Sequence, residues 1–239
     1  ASTTGDVSID FPHLTAPVIA ALALLPTDSL DVANVPIAGI AAVAAMPAFA
    51  SMTVQDDGAT IAANLGAGGP LALHHGQING FIIVSDTTVS LTGTAAAAAD
   101  PDALALLPAG SLVVTAVLVA DIATVAAFAA LDHITVTDTA ADLQTDLQKG
   151  SAASELDLHA AQISSVTVSD AGPVLAAPAA ALSPLAAKLS GTLAVSDTAA
   201  AIDGSLAGLA ALGAHLASVT VADSAAGLAP YATALSDVF

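Results

Sequence analysis

The sequence predicts an α/β repeat solenoid: one parallel strand and one helix per layer, stacked through about nine layers. Three observations predict it. A strand-sized motif recurs as Met52-Thr53-Val54-Gln55-Asp56, Ile82-Ile83-Val84-Ser85-Asp86, Ile134-Thr135-Val136-Thr137-Asp138, Val166-Thr167-Val168-Ser169-Asp170, Leu193-Ala194-Val195-Ser196-Asp197 and Val219-Thr220-Val221-Ala222-Asp223. Its first and third positions are apolar in every copy. Each copy runs on into an Ala/Leu-rich stretch.

The strands follow from alternation. Successive residues of a strand point to opposite faces. Val7/Ile9, Leu30/Val32, Met52/Val54, Ile82/Val84, Leu112/Val114, Ile134/Val136, Val166/Val168, Leu193/Val195 and Val219/Val221 therefore predict an unbroken inward face. The opposite face carries Thr53/Gln55, Ile83/Ser85, Val113/Thr115, Thr135/Thr137, Thr167/Ser169, Ala194/Ser196 and Thr220/Ala222, short, β-compatible and mostly uncharged. A slip of one residue would bury that polar set. The end-of-strand marker is Asn34, Asp56, Asp86, Ala116, Asp138, Asp170, Asp197 and Asp223, with Phe11 in a weaker first copy.

The helices follow from spacing and punctuation. Ile202, Leu206, Leu209, Leu212 and Leu216 predict a helix over 201–216. Leu143 and Leu147 predict another over 140–148, stopped at Gly150. Pro36, Pro173 and Pro230 fall near expected helix starts, where a missing N–H costs little. Pro178 and Pro184 predict short turns. The segments 66–76, 94–101 and 151–162 read as insertions, and Val89–Thr92 as a short added strand. The stretches 35–50 and 173–187 hold no charge. Such helices are either covered by another subunit or a neighbouring filament, or tolerated because alanine is small.

Composition bounds the function. The 239 residues are 56% hydrophobic but 3% aromatic, so the core is aliphatic. Twenty-one acidic residues face only Lys149 and Lys188, a net charge of -19. Nucleic-acid binding needs Lys and Arg to displace counterions from phosphate, so it is excluded, and anionic membrane surfaces are disfavoured. The runs 35–50 and 112–130 are interrupted by Pro36, Pro47 and Asp121, which argues against a membrane span. No cysteine is present, so disulfides and thiolate chemistry are absent. The start at Ala1 without a basic leader predicts a removed signal, a C-terminal export signal or a longer parent protein.

Candidate sites are few. Asp56, Asp86, Asp138, Asp170, Asp197 and Asp223 would form a column if the strands stack in simple register. Carboxylates about 4.8 Å apart repel, and a calcium ion could bridge them. Asp138-Thr139 and Asp197-Thr198 also stand where a strand enters a helix, and there an Asp or Thr caps free N–H groups. Capping is the stronger reading, with Thr139 and Asp142 resembling a capping box. His74-His75 is an adjacent pair with no acidic neighbour. No nucleophile elbow, P-loop or dinucleotide fingerprint appears. The outer strand face lacks the carboxylates of a pectinase-like groove.

The segments 134–141 and 193–200, with their shared strand, Asp-Thr and Ala-Ala, resemble a repeat of very large, Ala-rich surface proteins of alphaproteobacteria. The resemblance extends over 121–235 and implies a secreted, adhesin-like or matrix-forming protein, with no catalytic residues. The whole of 1–239 then reads as one solenoid, or as a piece of a longer array. Strands near the start and the apolar close of Ser236-Asp237-Val238-Phe239 predict end-to-end stacking into a homo-oligomer or filament. The resulting expectation is an extracellular, non-enzymatic structural protein without a cofactor. The alternative is a calcium- or glycan-binding adhesin module that uses the insertions.

Overall fold

A computed structural model describes residues 7–85 and 87–232. The chain is α/β, with parallel strands separated by short helices. The strands are β1 (Val7–Asp10), β2 (Leu30–Val35), β3 (Phe49–Asp57), β4 (Ile78–Val84), β5 (Val89–Thr92), β6 (Leu112–Val117), β7 (Leu131–Asp138), β8 (Ile163–Val168), β9 (Leu189–Ser190), β10 (Leu193–Asp197) and β11 (Leu216–Val221). They do not form one ladder of nine. Three sheets run β1-β2-β3-β4, β5-β6-β7-β8-β9 and β10-β11. The reason lies at residues 84–89. Ser85 has φ 72°, and the chain passes from β4 to β5 without a crossover helix. β4 thus ends one sheet and β5 begins another. Separately from this break, the chain divides into two compact units, 1–114 with 127–132, and 115–126 with 133–239. Asp86 and the segment 236–239 lie outside the described residues.

Most of the expected inward face is inside. Leu30, Val32, Met52, Val54, Leu112, Val114, Ile134, Val136, Val166, Leu193 and Val195 are all buried. Each contributes roughly 1.5–3 kcal/mol of apolar burial, an upper bound. Val7, Ile9, Val168, Val219 and Val221 are half-buried, and β4 departs furthest. Val54 pairs with Phe81, not Ile82, and Ile82 is 44% exposed. The run Phe81-Ile82-Ile83-Val84 is apolar at every position, so alternation could not choose its face. Val89 and Leu91 of β5 are buried.

The register is not a simple stack. Met52 pairs with Ile78 and Thr53 with Gly80. Ile134 pairs with Ile163 and Thr135 with Ser165. Leu193 pairs with Leu216 and Ala194 with Ser218. Asn79, Ser164 and Ala217 are the extra residues of β-bulges. A further shift between Val32 and Val35 surrounds Asn34, whose φ is 57°. The predicted alignment of one Asp opposite the next therefore fails: Asp56 faces Ile83, Asp138 faces Val168, and Asp197 faces Val221.

The helices are short, and several expected ones divide. The segment 201–216 contains Ala199–Asp203 and Leu206–Leu212, followed by a 3-10 turn and β11. Ala140–Leu147 matches its prediction, and Gly150 has φ 77°. Two insertions expected as loops contain helices, Pro70–Leu73, Gly93–Ala98 and Pro101–Ala105, and the excursion over 151–162 holds the expected extra helical turn, Glu155–Leu158. Pro178 lies inside Ala176–Ala181, in the first turn, where no N–H is needed. Pro230 follows Ala225–Leu228 rather than starting a helix. In 35–50, Ile37, Ile40 and Val43 face inward, while Ala38, Ala41, Ala42 and Ala45 are exposed. The outward face is alanine.

A longer repeat overlies the strand motif. Residues 7–56 align without a gap on 89–138, sharing for instance Ala21-Leu-Ala-Leu-Leu-Pro26 with Ala103-Leu-Ala-Leu-Leu-Pro108. The backbone repeats too. Asp28 and Asn34 are left-handed, and so are their counterparts Gly110 and Ala116. Ser29 donates to the Pro26 carbonyl at 2.6 Å, and Ser111 to that of Pro108 at 2.6 Å. Further on, 70–83 matches 155–168, with Leu71 and Leu156 buried and Leu73 and Leu158 exposed. The paired strands β10 and β11 repeat the same bulge once more.

Candidate functional site

The described aspartates of the column do not stack carboxylate on carboxylate. Each instead joins two layers through backbone N–H groups. Asp138 Oδ1 accepts from Thr139 N at 2.8 Å, and its Oδ2 from Val119 N at 3.0 Å. Asp56 accepts from Asp57 N and Ile37 N, both at 3.0 Å. Asp197 accepts from Thr198 N at 2.8 Å and Ala176 N at 3.0 Å. Asp223 accepts from Ser224 N at 2.7 Å and Ala199 N at 3.2 Å. Asp170 Oδ2 takes Ala140 N at 2.7 Å.

The second bond in each case goes back one layer. Ile37, Val119, Ala140 and Ala199 open the helical turn that follows the preceding strand, and Ala176 opens the one that follows β8, just past Val174, which bridges to Val195 of β10. In each case a carboxylate oxygen reaches the first N–H of that turn. Free N–H groups there are satisfied, and the negative charge sits at the positive end of the turn.

After Asp56, Asp138, Asp197 and Asp223, the next residue caps the helix that follows. Thr139 Oγ1 accepts from Asp142 N at 3.1 Å and donates to Asp142 Oδ2 at 2.6 Å. Thr198 accepts from Ala201 N, and Ser224 from Gly227 N. Asp57 does the same with Thr60, whose backbone N–H and hydroxyl both bond to it. These bonds hold its carboxyl below the ordinary 3.8.

Asp146 is a polar centre that sequence reasoning missed. It is 1% exposed. Lys149 Nζ donates at 2.8 Å, Ser154 Oγ at 2.8 Å and Leu156 N at 3.0 Å. Burial opposes its ionisation, but the Lys149, Leu156 and Ser154 bonds outweigh it and hold the carboxyl below 3.8. The Asp146 bond in turn pushes Lys149 above its ordinary 10.5. The cluster ties Ala140–Leu147 to Glu155–Leu158. Its signal in the sequence is slight: an acidic residue beside the apolar Leu143 and Leu147, three residues before a lysine.

The histidines serve the layer ends. His74 Nδ1 lies 3.0 Å from Gln77 Oε1, and His159 Nδ1 lies 3.0 Å from Gln162 Oε1, at matching places in the long repeat. His75 Nε2 is 3.9 Å from Asp102, and both are well exposed. Lys188 donates to the carbonyls of Ala160 and Ile163. Among the described residues, no three or more histidines and carboxylates gather where they could hold a metal ion. Among them too, no helix is long and apolar enough to cross a membrane. No protein-family model, curated protein or solved structure matches this chain.

Proposed function

We propose that this chain is an extracellular structural protein whose stacked repeats assemble into a fibre, surface layer or adhesive stalk. The observation that carries the reading is the repeated use of acidic side chains to hold one layer to the last. Asp56, Asp138, Asp170, Asp197 and Asp223 all spend a carboxylate oxygen on the turn of the layer before. The layers read as a solenoid interrupted between sheets, built to extend by repetition. Parallel edge strands offer unpaired backbone groups to a further copy. The resemblance of 134–141 and 193–200 to bacterial surface repeats supports the location.

Negative-stain microscopy of purified protein across concentration tests this. Filaments or regular arrays are expected as concentration rises. Discrete monomers at every concentration, with and without calcium, would remove the proposal. A calcium requirement for assembly would identify a bridging cation between copies.

A further inference from the structure

A concavity of about 460 Å³ opens in the first unit where β1, β2 and β3 end, lined by Asp10, Phe11, His13, Asn34, Pro36 and Gln55. The carboxyl ends of neighbouring parallel strands are where open α/β sheets hold ligands. The volume falls in the range of small-molecule sites, roughly 300–1,000 Å³.

The long repeat supplies an internal control. The scaffold beneath the concavity recurs in the second copy: Val7/Val89, Ser8/Ser90, Ser29/Ser111, Leu30/Leu112, Val32/Val114 and Val35/Val117. The lining does not. Asp10, Phe11, His13, Asn34, Pro36 and Gln55 correspond to Thr92, Gly93, Ala95, Ala116, Leu118 and Thr137. Every one has changed, and the changes erase the carboxylate, the imidazole, both amides and the ring. The left-handed backbone at Asn34 survives as Ala116, so it belongs to the scaffold. The ring has its own accommodation. A Cβ on buried Gly39 would come within 2.7 Å of the Phe11 ring edge, so the ring keeps this position only beside a glycine. Opposite Gly93, where no ring needs seating, the corresponding residue is Asp121.

The lining has a definite chemistry. Asn34 Nδ2 donates to Asp10 Oδ1 at 2.9 Å, which orients both planar groups. Among the described residues, Asp10 Oδ2, Asn34 Oδ1 and the Gln55 amide have no other hydrogen-bond partner and can accept from and donate to adjacent hydroxyls. Phe11 is half-buried and adds an apolar wall. An anion is disfavoured by Asp10 and the net charge of -19. A lone carboxylate is too few ligands for a hard cation. Planar amides, one carboxylate and a ring suit a neutral polyol with an apolar ring face.

We propose that this concavity binds a neutral pyranose, a terminal sugar of a glycan. The test is calorimetry and saturation-transfer-difference NMR with the methyl glycosides of glucose, galactose, mannose, rhamnose and N-acetylglucosamine. The comparison is the variant Asp10→Thr/His13→Ala/Asn34→Ala/Gln55→Thr, which installs residues the same scaffold carries in its second copy. Millimolar or tighter binding of at least one glycoside is expected, weakened at least tenfold in the variant, with far-UV circular dichroism and melting unchanged. Two results would overturn the site: no glycoside binding to folded wild type, or binding that survives in the folded variant. If the variant unfolds, His13→Ala and Gln55→Thr made singly give the same readout. Assembly is read by microscopy, so failure of one proposal leaves the other standing.

Discussion

The aspartate is the working residue of this chain, and it acts through geometry rather than charge display. A carboxylate offers two oxygens, and in Asp138 one goes to its own layer and one to the layer before. Bonds of this kind contribute about 0.5–2 kcal/mol each. Asp146 shows the same economy in a buried setting. Its carboxyl is held below 3.8 in the fold, so its stabilisation is present above that value and lost as pH falls through the folded value. Asp57 shifts in the same direction and adds to the trend. Melting temperature should therefore fall as pH drops below about 4. Asp146→Asn should melt lower at neutral pH, with a shallower acid slope. An unchanged slope in that variant would show that other carboxylates control acid unfolding.

At the scale of elements, helices as short as these are too small to persist by propensity. Packing and caps hold them. Gly208 shows which matters more. It lies in Leu206–Leu212, where a Cβ would come 2.7 Å from both the Cβ and the carbonyl oxygen of Ala180 in Ala176–Ala181. Alanine would improve helix propensity by about 1 kcal/mol. Overpacking against an immobile backbone costs about 1–3 kcal/mol. The clash wins, so Gly208→Ala should be destabilising, by about 1 kcal/mol or more, in urea denaturation. A more stable variant would mean the two helices can separate freely.

The whole molecule carries a net charge of -19, with two lysines to offset it. Copies of such a chain repel one another, and the repulsion is screened over about 10 Å at 0.1 M salt. Assembly should therefore strengthen from about 20 to 500 mM sodium chloride, measured by light scattering. Assembly that weakens with salt would instead require ion pairs between copies. Much of this architecture was legible in the residues. Alternation found the inward rungs, because burial on one face leaves a period of two. It failed at Phe81-Ile82-Ile83-Val84, where all four residues are apolar and the face is chosen by pairing with β3. The concavity at Asp10, Asn34 and Gln55 was not legible, because its residues come together only through strand pairing.

By itself, the sequence determined the class: parallel strands with alanine-faced helices, an aliphatic core and a strongly acidic composition. Those features are local, written in period, spacing and composition. Tertiary structure decided the division into three sheets, the bulged register and the destination of each carboxylate. The physical reason is that one added residue in a strand moves every later side chain relative to its neighbour, and nothing in the local pattern records where that residue falls.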